Sequence, residues 1–157
     1  MKISTKYSAY IIKEYTWWTL VLNEKQLPYL GRCYAWWKDR TLGEGENMPF
    51  HHLPDDAVLE LKKISSELSD ALWSIGYQTT LPGEQFLLNM AYLANQPEHN
   101  HHMHVHFIPR TSIPVKHFGL TADDPNWGKN YANPPGEAEV SRNKLMQISA
   151  GLARHFH

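Results

Sequence analysis

The clearest periodicity in the chain runs from Asp55 to Ile75, where Val58, Leu61, Ile64, Leu68, Ala71, Leu72 and Ile75 recur at three- and four-residue spacing. That spacing lays one apolar stripe along a helix. Asp55 and Asp56 stand where acidic side chains cap a helix or offset its dipole, and Gly76 follows where a helix commonly closes. Elsewhere the pattern is that of strands. Residues 17–22 and 32–37 are rich in aromatic and β-branched side chains, and the connection between them contains Pro28 and ends at Gly31, which predicts a pair. Residues 85–91 and 102–108 read as two further strands, able to lie beside that pair in an antiparallel sheet with the helix across one face. Residues 111–136 hold Pro114, Pro125, Pro134 and Pro135 with little periodicity, which predicts an extended, surface-hugging segment. A final helix is expected over 137–156, on the stripe Val140, Leu145, Ile148, Leu152 and Phe156.

A chain of 157 residues is near the commonest domain size, so a single domain over 1–157 is expected. Its formal net charge of −1 argues against a dedicated nucleic-acid-binding surface while leaving room for a nucleotide pocket with a few placed cations. The lone Cys33 excludes an intramolecular disulfide and a cysteine-rich zinc finger, and packing in a strand is its expected role. Residues 1–7 lack the apolar stretch of a signal peptide, and no apolar run approaches the length that spans a bilayer. A cytoplasmic protein with no membrane partner is the expectation. No repeat or low-complexity tract interrupts the chain.

Candidate chemistry is concentrated in one run. His102, His104 and His106 alternate with Met103 and Val105, and Phe107 and Ile108 follow. Alternation on a strand sends the three imidazoles to one face and the apolar residues to the other. Such a row suits nucleophilic attack, proton shuttling, phosphate contact or metal binding, since histidine alone titrates near neutrality unperturbed. Neighbouring same-face positions are roughly 6.6 Å apart and the outer pair roughly 13 Å, so three histidines on a straight strand cannot converge on one ion. A zinc site needs a further ligand such as His99, His51 or Glu98. The pairs Trp17-Trp18 and Trp36-Trp37 place at most one member each in the same pocket, and packing is their expected use.

The pattern His-apolar-His-apolar-His-apolar-apolar resembles the signature of the histidine triad (HIT) superfamily of nucleotide hydrolases and transferases. The likeness extends upstream. Trp18–Asn23 followed by Tyr29–Cys33 looks like that family's strand, nucleotide-contacting turn and second strand; Phe50–Asp56 looks like the start of its long helix; Leu88–Gln96 looks like the strand and loop before the triad in bacterial members of the diadenosine-polyphosphate-hydrolase type. These stretches cover about residues 10–110 in the right order. The resemblance implies an α+β HIT-like fold, an antiparallel sheet of about five strands with one long helix across it and a C-terminal helix.

It also implies a division of labour. His104 is the expected nucleophile toward an α-phosphorus, His102 its orienting partner, and His106 the support for the leaving group. Asn23 matches a position that contacts the nucleotide sugar, and Asn89 and Gln96 match polar positions flanking the phosphate. The implied activity is hydrolysis at the α-phosphate of a dinucleoside polyphosphate or related nucleotide conjugate. No cofactor is required, with Mg2+ entering as a complex with the substrate phosphates, and a homodimer is the expected assembly. Three departures stand out. Arg32 follows Gly31 where many members carry histidine, and it is read as a substitute phosphate ligand. Glu98–His101 looks like an insertion, and the serine or threonine that some branches carry just before the triad is absent. The other open readings are a histidine-rich metal-binding protein and a nucleotide-binding protein without turnover. The transferase branch usually carries glutamine at the third triad position, so His106 favours hydrolysis.

Overall fold

The computed structural model describes residues 8–38, 49–92, 103–129 and 140–157. In it the 3.6-residue periodicity becomes helix α1, Asp55–Ser74, which buries Ala57, Leu61, Ile64, Leu68, Ala71 and Leu72. Fully burying a side chain of leucine size contributes about 1.5–3 kcal/mol, so this stripe is the main reason the helix docks. Its N-cap is Pro54 and no side chain caps it, so Asp55 and Asp56 act on the dipole and not, as the sequence also allowed, as caps.

Five strands form one antiparallel sheet: β1 (Ile11–Glu14), β2 (Trp18–Leu22), β3 (Cys33–Trp37), β4 (Phe86–Tyr92) and β5 (His104–Thr111), in the order β1-β2-β3-β5-β4. The α+β class expected from the sequence is therefore observed, with β1 as an additional edge strand whose register shifts between Ile11 and Lys13. After β3 the chain crosses through α1 and returns at β4, and β5 then fills the place between them. Strand β5 is paired along both edges as a result.

Register sorts the faces. Trp18, Leu20 and Leu22 lie opposite Trp37, Ala35 and Cys33, which continue to Val105 and Phe107 on β5, and all eight are buried. This face meets α1, where Trp18 Nε1 donates to the carbonyl of Ala57 at 2.9 Å. The Glu60 carboxylate on the same helix accepts the backbone N–H groups of Thr16, Trp17 and Trp18 at 3.0, 2.7 and 3.2 Å, fixing the β1–β2 turn to the helix. Trp37 stacks on Trp17 with centroids 5.5 Å apart and meets Trp18 edge to face at 5.0 Å, so three of the four tryptophans serve packing. Trp36 lies on the opposite face, across from His104.

Of the 111–136 segment, residues 130–136 lie outside the described residues and 111–129 differ from the expected form. They contain a hairpin of β6 (Val115–His117) and β7 (Leu120–Ala122), with Phe118 and Gly119 both at positive φ, 54° and 69°. Such a turn normally announces itself as Asn-Gly or Asp-Gly, and phenylalanine hides it. The Phe118 ring packs on Gly151, where an added Cβ would approach it to 2.4 Å. Gly151 belongs to helix α2, Arg142–Ala153, which Ser141 caps through Lys144 N and which is shorter than the 137–156 expected; residues 137–139 lie outside the described residues.

Arg110, 3% exposed, then ties the following loop to β5. It pairs through Nε and Nη2 with both carboxylate oxygens of Asp124, itself 6% exposed, and Nη2 also reaches the carbonyl of Asn126. Removing one partner of a buried pair leaves the other charge uncompensated, so Asp124→Ala should lower the unfolding free energy by about 3–5 kcal/mol in urea titrations. Lys13→Ala, which breaks the partly exposed pair with Glu67, should cost under about 1 kcal/mol. Equal losses in the two variants would contradict this ranking.

Candidate active site

The connection between β2 and β3 is held by a residue whose role the sequence reading missed. Gln26, fully buried, donates through Nε2 to the carbonyls of Asn23 and Arg32 at 2.5 and 3.0 Å and accepts the Gly31 N–H at 2.7 Å. Gly31 adopts φ 84°, and a Cβ there would come within 2.3 Å of the Leu72 side chain on α1. The Tyr77 hydroxyl donates to the Leu30 carbonyl at 2.5 Å. The first contact presses the turn against the last turns of α1 and the second ties it to the chain just beyond that helix, while Asn23 N closes its base by donating to the Arg32 carbonyl at 2.9 Å. The only sequence signal for Gln26 is its position in the connection that also carries Pro28 and Gly31.

Strand β5 supplies the opposite half of the site. His104 and His106 project to the face away from α1, and the side chains lean together until their Nε2 atoms are 3.1 Å apart. Arg32 reaches the other nitrogen of His106, with Nη2 3.5 Å from Nδ1. Across the register, Tyr34 presents its ring at near right angles to both imidazoles, with centroids 5.3 Å from His104 and 4.6 Å from His106. Tyr34 was not singled out from the sequence, although the alternation of β3 places it on this face. His106 is 7% exposed and Arg32 4%, whereas His104 is half-buried. Burial first, then the neighbouring His104 and the Arg32 charge, hold the His106 pKa down to about 3. His106 is therefore neutral at working pH.

Asn23 is 2% exposed, and its amide is split in use: Oδ1 accepts the Lys25 N–H at 2.7 Å, while Nδ2 has no hydrogen-bond partner among the described residues. One end holds the turn and the other is a buried donor with no partner among the described residues. Asn89, half-buried, lies across from Ile108 on β4, on the same face as His106 by register. His102, Gln96 and Glu98–His101 lie outside the described residues. Among the described residues no three histidine, cysteine or carboxylate side chains are grouped to hold a metal, and His51 packs against His52 in the short turn Phe50–His52. Cys33 is buried on the core face and burial pushes its thiol pKa up, which makes it a packing residue.

The arrangement brings His104, His106 and Arg32 into contact on one face, with Tyr34 beside them and Asn23 in the turn that carries Arg32. A half-buried imidazole nitrogen next to a neutral buried imidazole and a fixed cation can attack an electrophilic phosphorus and stabilise the oxygens around it. No family model matches the chain, and no curated protein matches it. Among solved structures the chain is similar to a hypothetical histidine triad nucleotide-binding protein from Sulfolobus tokodaii strain 7, at 18% identity over 93% of this chain and 82% of that one, with a TM-score of 0.50. A zinc-bound histidine triad family protein from Mycobacterium smegmatis aligns at 14% identity over 92% of this chain and 84% of that one, with a TM-score of 0.48. The likeness to the first is one of fold, so the architecture is HIT-like.

Proposed function

We propose that the protein is a nucleotide hydrolase of the histidine-triad type, cleaving at the α-phosphate of a dinucleoside polyphosphate or related nucleotide conjugate through a nucleotidyl-histidine intermediate. The observation that carries this reading is the contact between the Nε2 atoms of His104 and His106 at 3.1 Å, with Arg32 against the far nitrogen of His106. His104 is the more exposed of the two and so the one a substrate can reach.

In the first step a lone pair on Nε2 of neutral His104 forms the P–N bond while the bond to the leaving oxygen breaks, and the electron pair departs on that oxygen. Water then attacks the same phosphorus, the P–N electron pair returns to His104, and one water proton leaves to solvent. His106 lies where it can hydrogen-bond the oxygens that gain charge, and the Arg32 cation behind it favours the same charge. Asn23 Nδ2 is the donor proposed for the sugar, Asn89 and Gln96 are proposed near the phosphates, and His102 is the proposed orienting partner of His104. Mg2+ is proposed only as a complex with the substrate phosphates.

Assembly forms part of the same reading. The outer edge of β4 pairs with no strand among the described residues, and beside it a groove of about 540 Å³ runs along α1 past Phe50, Val58, Leu61 and Met90. Phe50 and Met90 expose 44% and 45% of their surface there, and Leu87, on the opposite face of β4, exposes 55%. Exposed apolar side chains beside an open strand edge, in a groove whose other wall is the polar row Lys62, Ser65, Ser66, Ser69 and Asp70, fit a second copy of the chain.

His104→Ala should retain the fold and lower kcat for release of nucleoside monophosphate by at least about three orders of magnitude, because neighbouring groups do not replace a lost nucleophile. Turnover near that of the parent would sink the mechanism. Sedimentation at micromolar concentration should give the mass of a dimer, and a monomer alone would remove the assembly from the reading.

A further inference from the structure

The hydrogen bonds around His106 have a direction, because one of their ends cannot change. A guanidinium only donates. Arg32 Nη2 stands 3.5 Å from His106 Nδ1, so that nitrogen must present a lone pair. The single proton of His106 is then on Nε2, 3.1 Å from Nε2 of His104, which accepts it and carries its own proton on Nδ1. We propose that Arg32 is a positioning residue that locks His106 in the neutral Nε2–H form. The site then offers a leaving group a hydrogen bond but no acid, and selects nucleotide conjugates whose leaving group departs as an anion. This rests on the hydrolase reading.

The selection follows from what His106 can do with protons. A second proton would have to go on Nδ1, which would set N–H against N–H and cation against cation at Arg32. Burial acts in the same direction. The groups facing His106 are His104 on its own strand, Arg32 and Tyr34 from the β3 side, and Ala91 from β4, so among the described residues none is a carboxylate that would favour an imidazolium. Giving up the only proton would leave an imidazolate. A nucleotide released from a phosphoanhydride needs no proton, since its oxygen keeps the electron pair of the broken P–O bond as a stable phosphate anion. An alkyl amine released from a phosphoramidate must gain a proton as the P–N bond breaks, and His106 could supply its single proton only by becoming an imidazolate.

Ring-nitrogen NMR of the parent protein labelled in its histidines reads the tautomer directly, with the His106 signals assigned by their loss in His106→Asn. The expected result is a protonated Nε2 and an unprotonated Nδ1 at pH 6, with no second proton taken up down to pH 5. Arg32→Met should give mixed tautomers and a His106 titration moved toward higher pH, and Arg32→Lys, which keeps a donor, should restore the Nε2–H form. A parent His106 protonated at Nδ1 at pH 6, or an Arg32→Met variant with the parent's tautomer, would overturn the assignment, and the first of these needs no variant to fold. In turnover, kcat/KM for a dinucleoside polyphosphate should exceed that for an alkylamine nucleoside phosphoramidate by about a hundredfold or more, and Arg32→Met should shrink that ratio by about tenfold. Equal kcat/KM values in the parent would overturn the selection. Absence of turnover on both substrates, with the tautomer as stated, would count against the hydrolase reading and leave the role of Arg32 standing.

Discussion

The pairing of β5 along both of its edges is the constraint from which the rest of the site follows. A strand so held has only two directions left for its side chains, and β5 divides them cleanly. Val105 and Phe107 go to the core against α1, while His104 and His106 go to the other face. A one-residue slip would turn the imidazoles toward α1 and the apolar pair toward the face of Arg32 and Tyr34, so core packing and site geometry are enforced by the same register. The position of β5 depends in turn on α1, which carries the chain from β3 to β4 and leaves one strand's width between them. The helix that covers the core face of the sheet thereby also determines where the histidines stand.

The second half of the site is anchored to the same helix. The close approach of Gly31 to Leu72 and the bond from Tyr77 to Leu30 fix the β2–β3 turn, and Gln26 braces it from inside. Arg32 emerges from that turn with its guanidinium already against His106. Precision of this kind comes from backbone hydrogen bonds and packing, with little left to loop motion. At the other end of β5, Arg110 uses its guanidinium for the opposite purpose, saturated by Asp124 and by loop carbonyls, and so holds the chain after β7. Two buried arginines thus stand at opposite ends of the pairing between β5 and its neighbours, Arg110 against the Asp124 carboxylate and Arg32 within reach of the His106 imidazole.

Where a single physical rule dominates, the sequence was legible. The apolar stripe gave α1 nearly to the residue, and alternation gave the faces of β3 and β5 and thus the shared face of His104 and His106. Where two rules compete, it was not. Strand β1 is four residues long and carries Lys13 and Glu14, so no clear alternation marks it. The β6–β7 hairpin turns through Phe118, a residue that disfavours positive φ and is held there by the space that Gly151 leaves. Gln26 looks like any turn residue until three backbone groups are seen to depend on it. Arg32 stands out in the sequence only by its departure from the family pattern. Its burial and its contact with His106 are tertiary facts that no local spacing encodes.

In the proposed mechanism Nε2 of His104 receives the nucleotide, and a covalent adduct is the most direct consequence. Intact-mass measurement on the parent protein, quenched in the non-acidic conditions that preserve a phosphorus–nitrogen bond within the first turnovers of a dinucleoside polyphosphate, reports that species without reference to rate. The account predicts a mass increase of one nucleoside monophosphoryl group, located by fragmentation to His104. Protein that stays unmodified at every quench time while nucleotide is being released would contradict it.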